Sequence, residues 1–295
     1  MNNVIECNNL THHYGEKLVF ENLNFQVKEG SILGLLGKNG TGKTTTFNIL
    51  NGFLQPTGGQ CLVFGEDTQH LSPQTKSRIG FLIEGHIQYS FMNIHQIEKF
   101  YSGFYPRWKP AAYWELISKL NVPPGQKISN MSCGQRSQVA LGLILAQNSD
   151  LLILDDFSMG LDPGYRHLFI DYLREYAKAE NKTIFTTSHI IQDMERLIDD
   201  VLIIDFNKVL VQSTVGEFRS NFRRFDFELE NDETDLKNER FIVNIEKVKN
   251  KVELYTYSSE SEVKRYLDDK HILVSNFTQV KMELEDAFIG LTGKY

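Results

Sequence analysis

The residues Gly37-Lys38-Asn39-Gly40-Thr41-Gly42-Lys43-Thr44 combine glycines, a lysine and a hydroxyl at the spacing of a Walker A phosphate loop. Gly37, Gly40 and Gly42 let successive backbone N–H groups turn inward as a nest for an anion, with Asn39 in the same turn. A helix starting just after the loop adds the positive end of its dipole. In that arrangement Lys43 reaches the β- and γ-phosphates of a nucleotide, Thr44 offers its hydroxyl to Mg²⁺, and Thr45 sits near the α-phosphate. Such a site also needs an acid at the end of a buried strand. Leu151-Leu152-Ile153-Leu154-Asp155-Asp156 supplies it, with Asp155 expected to hold the metal through water. The bland alternatives are a glycine-rich turn with an exposed lysine, and acids that merely flank a strand. The two segments gain weight together, since each supplies what the other lacks.

Positioning these groups requires particular elements. The runs Ile32-Leu33-Gly34-Leu35-Leu36, Leu151-Leu152-Ile153-Leu154 and Val201-Leu202-Ile203-Ile204 are too short for buried helices and do not alternate, so they are predicted as strands covered on both faces. Apolar residues at helical spacing over 45–50, 135–146 and 165–178 predict an α/β domain on a mostly parallel sheet. Prolines at 106, 110, 123 and 124 punctuate a strand-poor stretch, expected to be a helical subdomain inserted at about 86–147. Its aromatic stripe, Phe100, Tyr101, Phe104, Tyr105 and Trp108, is expected to pack internally, with a docking surface for a partner as the alternative. Beyond Gly216, residues 225–229 and 252–257 alternate with period two, as half-buried antiparallel strands do, and short helices are expected near 262–267 and 284–291. The expected organisation is a nucleotide-binding domain over 1–216 and a small α+β accessory domain over 217–295. Arg219, Arg223 and Arg224 read as a solvated face.

Bulk properties narrow the function classes. The formal net charge of −7 lacks the basic footprint of a nucleic-acid binder, so no nucleic acid is expected as a partner. Three cysteines, Cys7, Cys61 and Cys133, are odd in number and widely separated, which points to neither a disulfide framework nor a zinc site and fits a reducing cytosol. The N-terminus lacks a signal-peptide pattern, and no run approaches the roughly 20 apolar residues that span a bilayer. A membrane role is therefore expected only through a partner.

Met131-Ser132-Cys133-Gly134-Gln135, upstream of Asp155 at the head of a helix, resembles the Leu-Ser-Gly-Gly-Gln signature of ABC transporter ATP-binding domains. The resemblance runs through about the first 216 residues. The same spacing fits a plain capping box, with Ser132 as N-cap and Gln135 at N3, and both readings can hold. The resemblance implies the P-loop NTPase fold of an ABC ATPase, with ATP and Mg²⁺ as ligands. Ser132, Gly134 and Gln135 would then face the γ-phosphate of ATP held by another subunit. It further implies that Tyr14, in His13-Tyr14-Gly15, stacks on adenine, and that Glu84 senses magnesium and couples to a transmembrane partner. Asp162, in Gly160-Leu161-Asp162, would lie in the loop that crosses the dimer, and His189 would be the switch histidine at the γ-phosphate. Taken singly, such a tyrosine is more often packing and such a histidine more often structural. The implied partners are an integral-membrane permease and a second ATPase chain, in a homodimer or a heterodimer, on the cytoplasmic face of the membrane.

Two positions depart from the family pattern. Asp156 stands where the family has the glutamate that positions the attacking water. A side chain one methylene shorter sits roughly 1 Å back, and a displacement of that size costs on the order of 100-fold in rate, so slow turnover is expected. Cys133 replaces a signature glycine and adds a side chain where backbone approaches phosphate. Glu84, where glutamine is usual, and the tail ending Leu284-Glu285-Asp286-Ala287-Phe288 resemble exporter branches. An exporter motor is the leading expectation. A regulatory ATP-binding subunit with little hydrolysis, and an ABC ATPase acting on nucleic acid or ribosomes, stay open beside it; relatives of the last kind carry paired ATPase domains, coiled coils or zinc modules.

Overall fold

The computed structural model describes residues 2–82, 89–119, 122–123, 125–158, 161–206, 208–231, 236 and 239–293. It divides into two compact units, Met1–Gln212 and Ser213–Tyr295.

In the first unit β1 (Asn3–Tyr14) and β2 (Lys17–Lys28) form a long hairpin, whose turn leaves Tyr14 paired with Lys17. β3 (Ile32–Gly37) runs into the phosphate loop, and α1 (Lys43–Leu50) follows. β4 (Gly58–Val63) returns to pair antiparallel with β1, and the short β5 (Glu66–Asp67) pairs with β4, giving a four-stranded sheet in the order β2-β1-β4-β5. After the one-turn α2 (Pro73–Lys76) comes β6 (Ile79–Leu82). The antiparallel sheet was not foreseen from the sequence. Its strands mix exposed and buried residues through several register shifts, which blurs the period-two signal.

The helical insert contains α3 (Ile94–Ser102), α4 (Pro110–Ser118) and α5 (Cys133–Ala146). Its core gathers Ile94, Ile97, Tyr113, Ile117, Val139 and Leu143. Tyr113 is fully buried there and keeps its hydroxyl satisfied by donating to the Ile94 carbonyl at 2.8 Å. The aromatic stripe does not pack as one block. Tyr101 and Trp108 lie against this core, whereas Phe100, within α3, is exposed, and Phe104 is exposed beyond the point where α3 stops at Ser102 and the chain turns at Gly103.

The chain then adds β7 (Leu151–Asp155), α6 (Pro163–Ala179), β8 (Thr183–Thr187), α7 (Ile191–Leu197), β9 (Asp200–Asp205) and β10 (Lys208–Thr214). Six strands form the central sheet in the order β10-β9-β3-β8-β7-β6, and the pairs from β9 to β6 are parallel. Every residue of β7 and β8 is buried, as a strand covered on both faces requires. Phe47 of α1 stacks on Phe185 of β8 at 5.0 Å, anchoring the helix behind the loop against the sheet.

The second unit opens with α8 (Val215–Asn221), which contains Gly216, the expected boundary. Then follow β11 (Arg223–Leu229), β12 (Ile242–Val248), β13 (Lys251–Thr256), α9 (Glu260–Asp269), β14 (Val274–Val280) and α10 (Leu284–Thr292). The sheet order is β12-β13-β11-β14, with each pair antiparallel. Phe225, Phe227, Leu254, Val263 and Leu267 form its own core. The arginines are not a solvated face. Arg224 grips Asp226 at 2.6 and 2.8 Å and Glu253 at 2.8 Å, Arg219 reaches Glu283 at 2.9 Å, and Arg223 donates to the Tyr257 carbonyl at 3.1 Å.

Candidate functional site

In a parallel sheet all C-terminal strand ends share one edge, and ligands bind there. β3, β8 and β7 are neighbours, so the phosphate loop, the His189 loop and the Asp155-Asp156 pair emerge side by side. Thr187 Oγ1 donates to the Leu35 carbonyl and Thr186 Oγ1 to the Leu154 carbonyl, each at 2.9 Å, which pins the ends of these strands together.

The loop has the shape its sequence demands. Gly40 has φ +82° and open space around it, and Gly42 has φ +95°, with a Cβ that would meet Phe20 Cδ1 at 2.6 Å. Only glycine holds both conformations without strain. Lys43 Nζ donates to the carbonyls of Gly37 at 2.7 Å and Lys38 at 3.1 Å, and so lies folded over its own loop. Burial pushes this ammonium below its usual pKa, while nearby Asp155 and Asp156 push it back up. An anion entering the nest finds a half-buried cation there. Asn39 and Thr44 are exposed at the loop surface, and Thr45 is buried.

Tyr14 is 51% exposed, with its ring edge-on to His12 at 4.7 Å and its hydroxyl 3.5 Å from Thr45 Oγ1. An open aromatic face thus stands beside the loop. His12, which supports that face, gave no signal in the sequence because a single histidine in a strand has no distinguishing pattern.

Asp155 is buried at the end of β7. Asp156 follows in the left-handed region, φ +47°, with its N–H donating to the Thr187 carbonyl at 3.1 Å. Aspartate enters this region more readily than longer side chains. Its Oδ1 accepts from His189 N at 3.4 Å, and its Oδ2 lies 3.5 Å from His189 Nε2. Thr44, a hydroxyl, and Asp155, a carboxylate, offer the hard oxygen donors that suit Mg²⁺, an ion that keeps several waters and takes few protein ligands.

Ser132 caps α5 in a full capping box: its Oγ accepts from Gln135 N at 3.2 Å, and Gln135 Oε1 accepts from Ser132 N at 2.9 Å. Cys133 is exposed in the first turn beside Gly134. Among the described residues, Ser132, Gly134 and Gln135 make no hydrogen bond to the loop at 37–45. Asp162 caps α6, accepting from Tyr165 N at 3.3 Å. The structure thus brings together Tyr14, the loop, Asp155, Asp156 and His189, and leaves the Ser132 segment on a separate helix. Glu84 and Gly160 lie outside the described residues.

Comparison with known proteins agrees with this geometry. Residues 20–158 match the family model described as ABC transporter. The chain is 29% identical to the bacitracin transport ATP-binding protein BcrA of Bacillus licheniformis, over 99% of this chain and 98% of that protein. It is 30% identical to the Nod factor export ATP-binding protein I of Cupriavidus metallidurans, over 74% and 73% of the two chains. Among solved structures, an ATP-binding subunit of an ABC transporter superposes with TM-score 0.65 at 23% identity, covering 74% of this chain and 92% of the other. A dimeric ATP-binding cassette, bound to ADP and Pi after hydrolysis, superposes with TM-score 0.62 at 20% identity, covering 71% and 98%. The fold is therefore that of the ABC ATPase cassette, and with the loop, the buried acids and the signature helix on one scaffold, this chain belongs to the ABC transporter family as one of its ATP-binding proteins.

Proposed function

We propose that this chain is the ATP-hydrolysing motor of an ABC exporter, closing on a second ATPase chain around ATP and driving a separate transmembrane permease. The observation that carries it is the division of the site: phosphate-facing elements stand around Lys43, while the capped Ser132 helix of the same chain makes no hydrogen bond to them. A two-fold dimer resolves this, because each chain then completes its neighbour's site with Ser132, Gly134 and Gln135. The export direction is supported by the bacitracin transport and Nod factor export names of its relatives. A homodimer is the simpler arrangement, and the pair sits on the inner face of the membrane through the permease.

Within the site, Lys43 and the loop amides hold the β- and γ-phosphates, Tyr14 stacks on the base, and Asp162 lies at the crossing between chains. Thr44 and Asp155 would hold Mg²⁺, with Glu84 added by family resemblance; the ion supplies charge neutralisation across the phosphates when bound. Asp156 orients the attacking water and His189 supports the γ-phosphate. The short Asp156 arm makes turnover slow. For the permease contact we favour the exposed rings of Tyr89, Phe91, Phe100 and Phe104, which touch one another at 4.9–6.1 Å. The unit from Ser213 onward is an accessory domain.

Replacing Lys43 by alanine tests the reading. Titration with a fluorescent ATP analogue should show affinity falling roughly 10- to 150-fold, the worth of a charge-assisted hydrogen bond of about 1.5–3 kcal/mol. Unchanged affinity would remove the proposal.

A further inference from the structure

Beneath the loop that carries His189, one buried carboxylate touches α6 and the segment after Asp156, and reaches the His189 loop through a serine of that segment. Asp193 on α7 is 5% exposed; Arg166 Nε donates to its Oδ1 at 3.1 Å and lies 2.8 Å from its Oδ2 in the same ion pair. Arg166 lies in the first turn of α6, where its N–H donates at 2.9 Å to the carbonyl of Asp162, the N-cap. Asp193 Oδ2 also accepts from Ser158 Oγ at 3.4 Å, two residues beyond Asp156. That hydroxyl is 3.5 Å from Ser188 Oγ, which precedes His189 and accepts from Ile190 N at 3.1 Å.

A carboxylate out of water must be paired, so Arg166 and Asp193 fix each other and the spacing of α6 and α7. Holding two helices together would need no more than that pair. The serines add something different: they place hydroxyls where the chain leaves β7 and β8 for the site. Their bonds are long, at 3.4 and 3.5 Å.

We propose that Asp193 is a positioning residue for ATP hydrolysis. Through Ser158 and Ser188 it ties the segment leading to Asp162 to the loop of His189, so that seating the partner chain and setting the histidine become one movement. This rests on the roles given above to Asp156, Asp162 and His189.

Single-turnover hydrolysis of radiolabelled ATP by the full-length chain tests it, alongside binding of a fluorescent ATP analogue. In Asp193→Asn the rate should fall about tenfold or more with nucleotide affinity within about twofold, since only an interaction made at the reacting stage is lost. Adding His189→Ala to Asp193→Asn should cost no more than His189→Ala alone, because both act through one group. Ser158→Ala leaves the buried ion pair and the fold intact, and should slow the same step several-fold. Should Ser158→Ala and a folded Asp193→Asn both hydrolyse at the wild-type rate, or should the losses multiply with that of His189→Ala, Asp193 is only a strut and the proposal falls. If His189→Ala itself is as fast as wild type, the assignment of the site fails first and takes this one with it.

Discussion

At the scale of single residues, Asp156 is where identity and geometry meet. Its left-handed backbone and its contact with His189 keep the carboxylate close to the strand ends. Lengthening it to Asp156→Glu should raise single-turnover hydrolysis on the order of 100-fold by moving the oxygen forward, at a cost of no more than about 1 kcal/mol in stability, since aspartate already sits at positive φ and only its several-fold preference for that region is lost. Asp156→Asn should abolish product formation while nucleotide still binds; quenched-flow and thermal melts of both variants check this. Much of this site was legible beforehand, because the loop, Asp155, Asp156 and His189 sit in short contiguous motifs. What was not legible were His12, Arg166 and Asp193, whose meaning lies in contacts between distant segments rather than in local spacing.

Among the elements, the join between helical insert and sheet is electrostatic as well as apolar. Asp150, just before β7, takes Arg78 at 2.7 Å and Arg107 of the insert at 2.8 Å. Burial raises the Asp150 carboxyl, but the hydrogen bonds from the two arginines outweigh it and hold its pKa below the ordinary value. A depressed carboxylate stabilises the fold above its unfolded pKa of about 4 and loses that contribution as pH falls through the lower folded value. Asp150→Asn should therefore be less stable at neutral pH, and its melting temperature should decline less steeply than wild type below about pH 4. Equal slopes would show that the pair contributes nothing there. The buried strands β3, β7 and β9 were readable as uninterrupted apolar runs, whereas β1 and β2 were not, since their bulged register breaks the alternation that marks a half-covered sheet. The exposed Phe104 escaped for a similar reason: helical spacing was extended past the point where Gly103 ends the helix.

For the whole molecule, two compact units, the C-terminal one with a core of its own, imply two separable stabilities. Phe225→Ala should cost the C-terminal unit about 3–5 kcal/mol, seen as a lowered second transition in calorimetry, with nucleotide affinity unaltered. In the proposed mechanism, ATP held at Lys43 is sealed by Ser132 of another chain. Sedimentation of the hydrolysis-blocked Asp156→Asn chain measures that directly. With ATP the chain should sediment as a dimer, and with ADP as a monomer. Neither Lys43→Ala nor Ser132→Arg, placed in the same background, should dimerise with ATP, while an equal mixture of the two should recover pairs through their one intact composite site. Dimerisation with ATP that survives Lys43→Ala and Ser132→Arg alike would contradict the account.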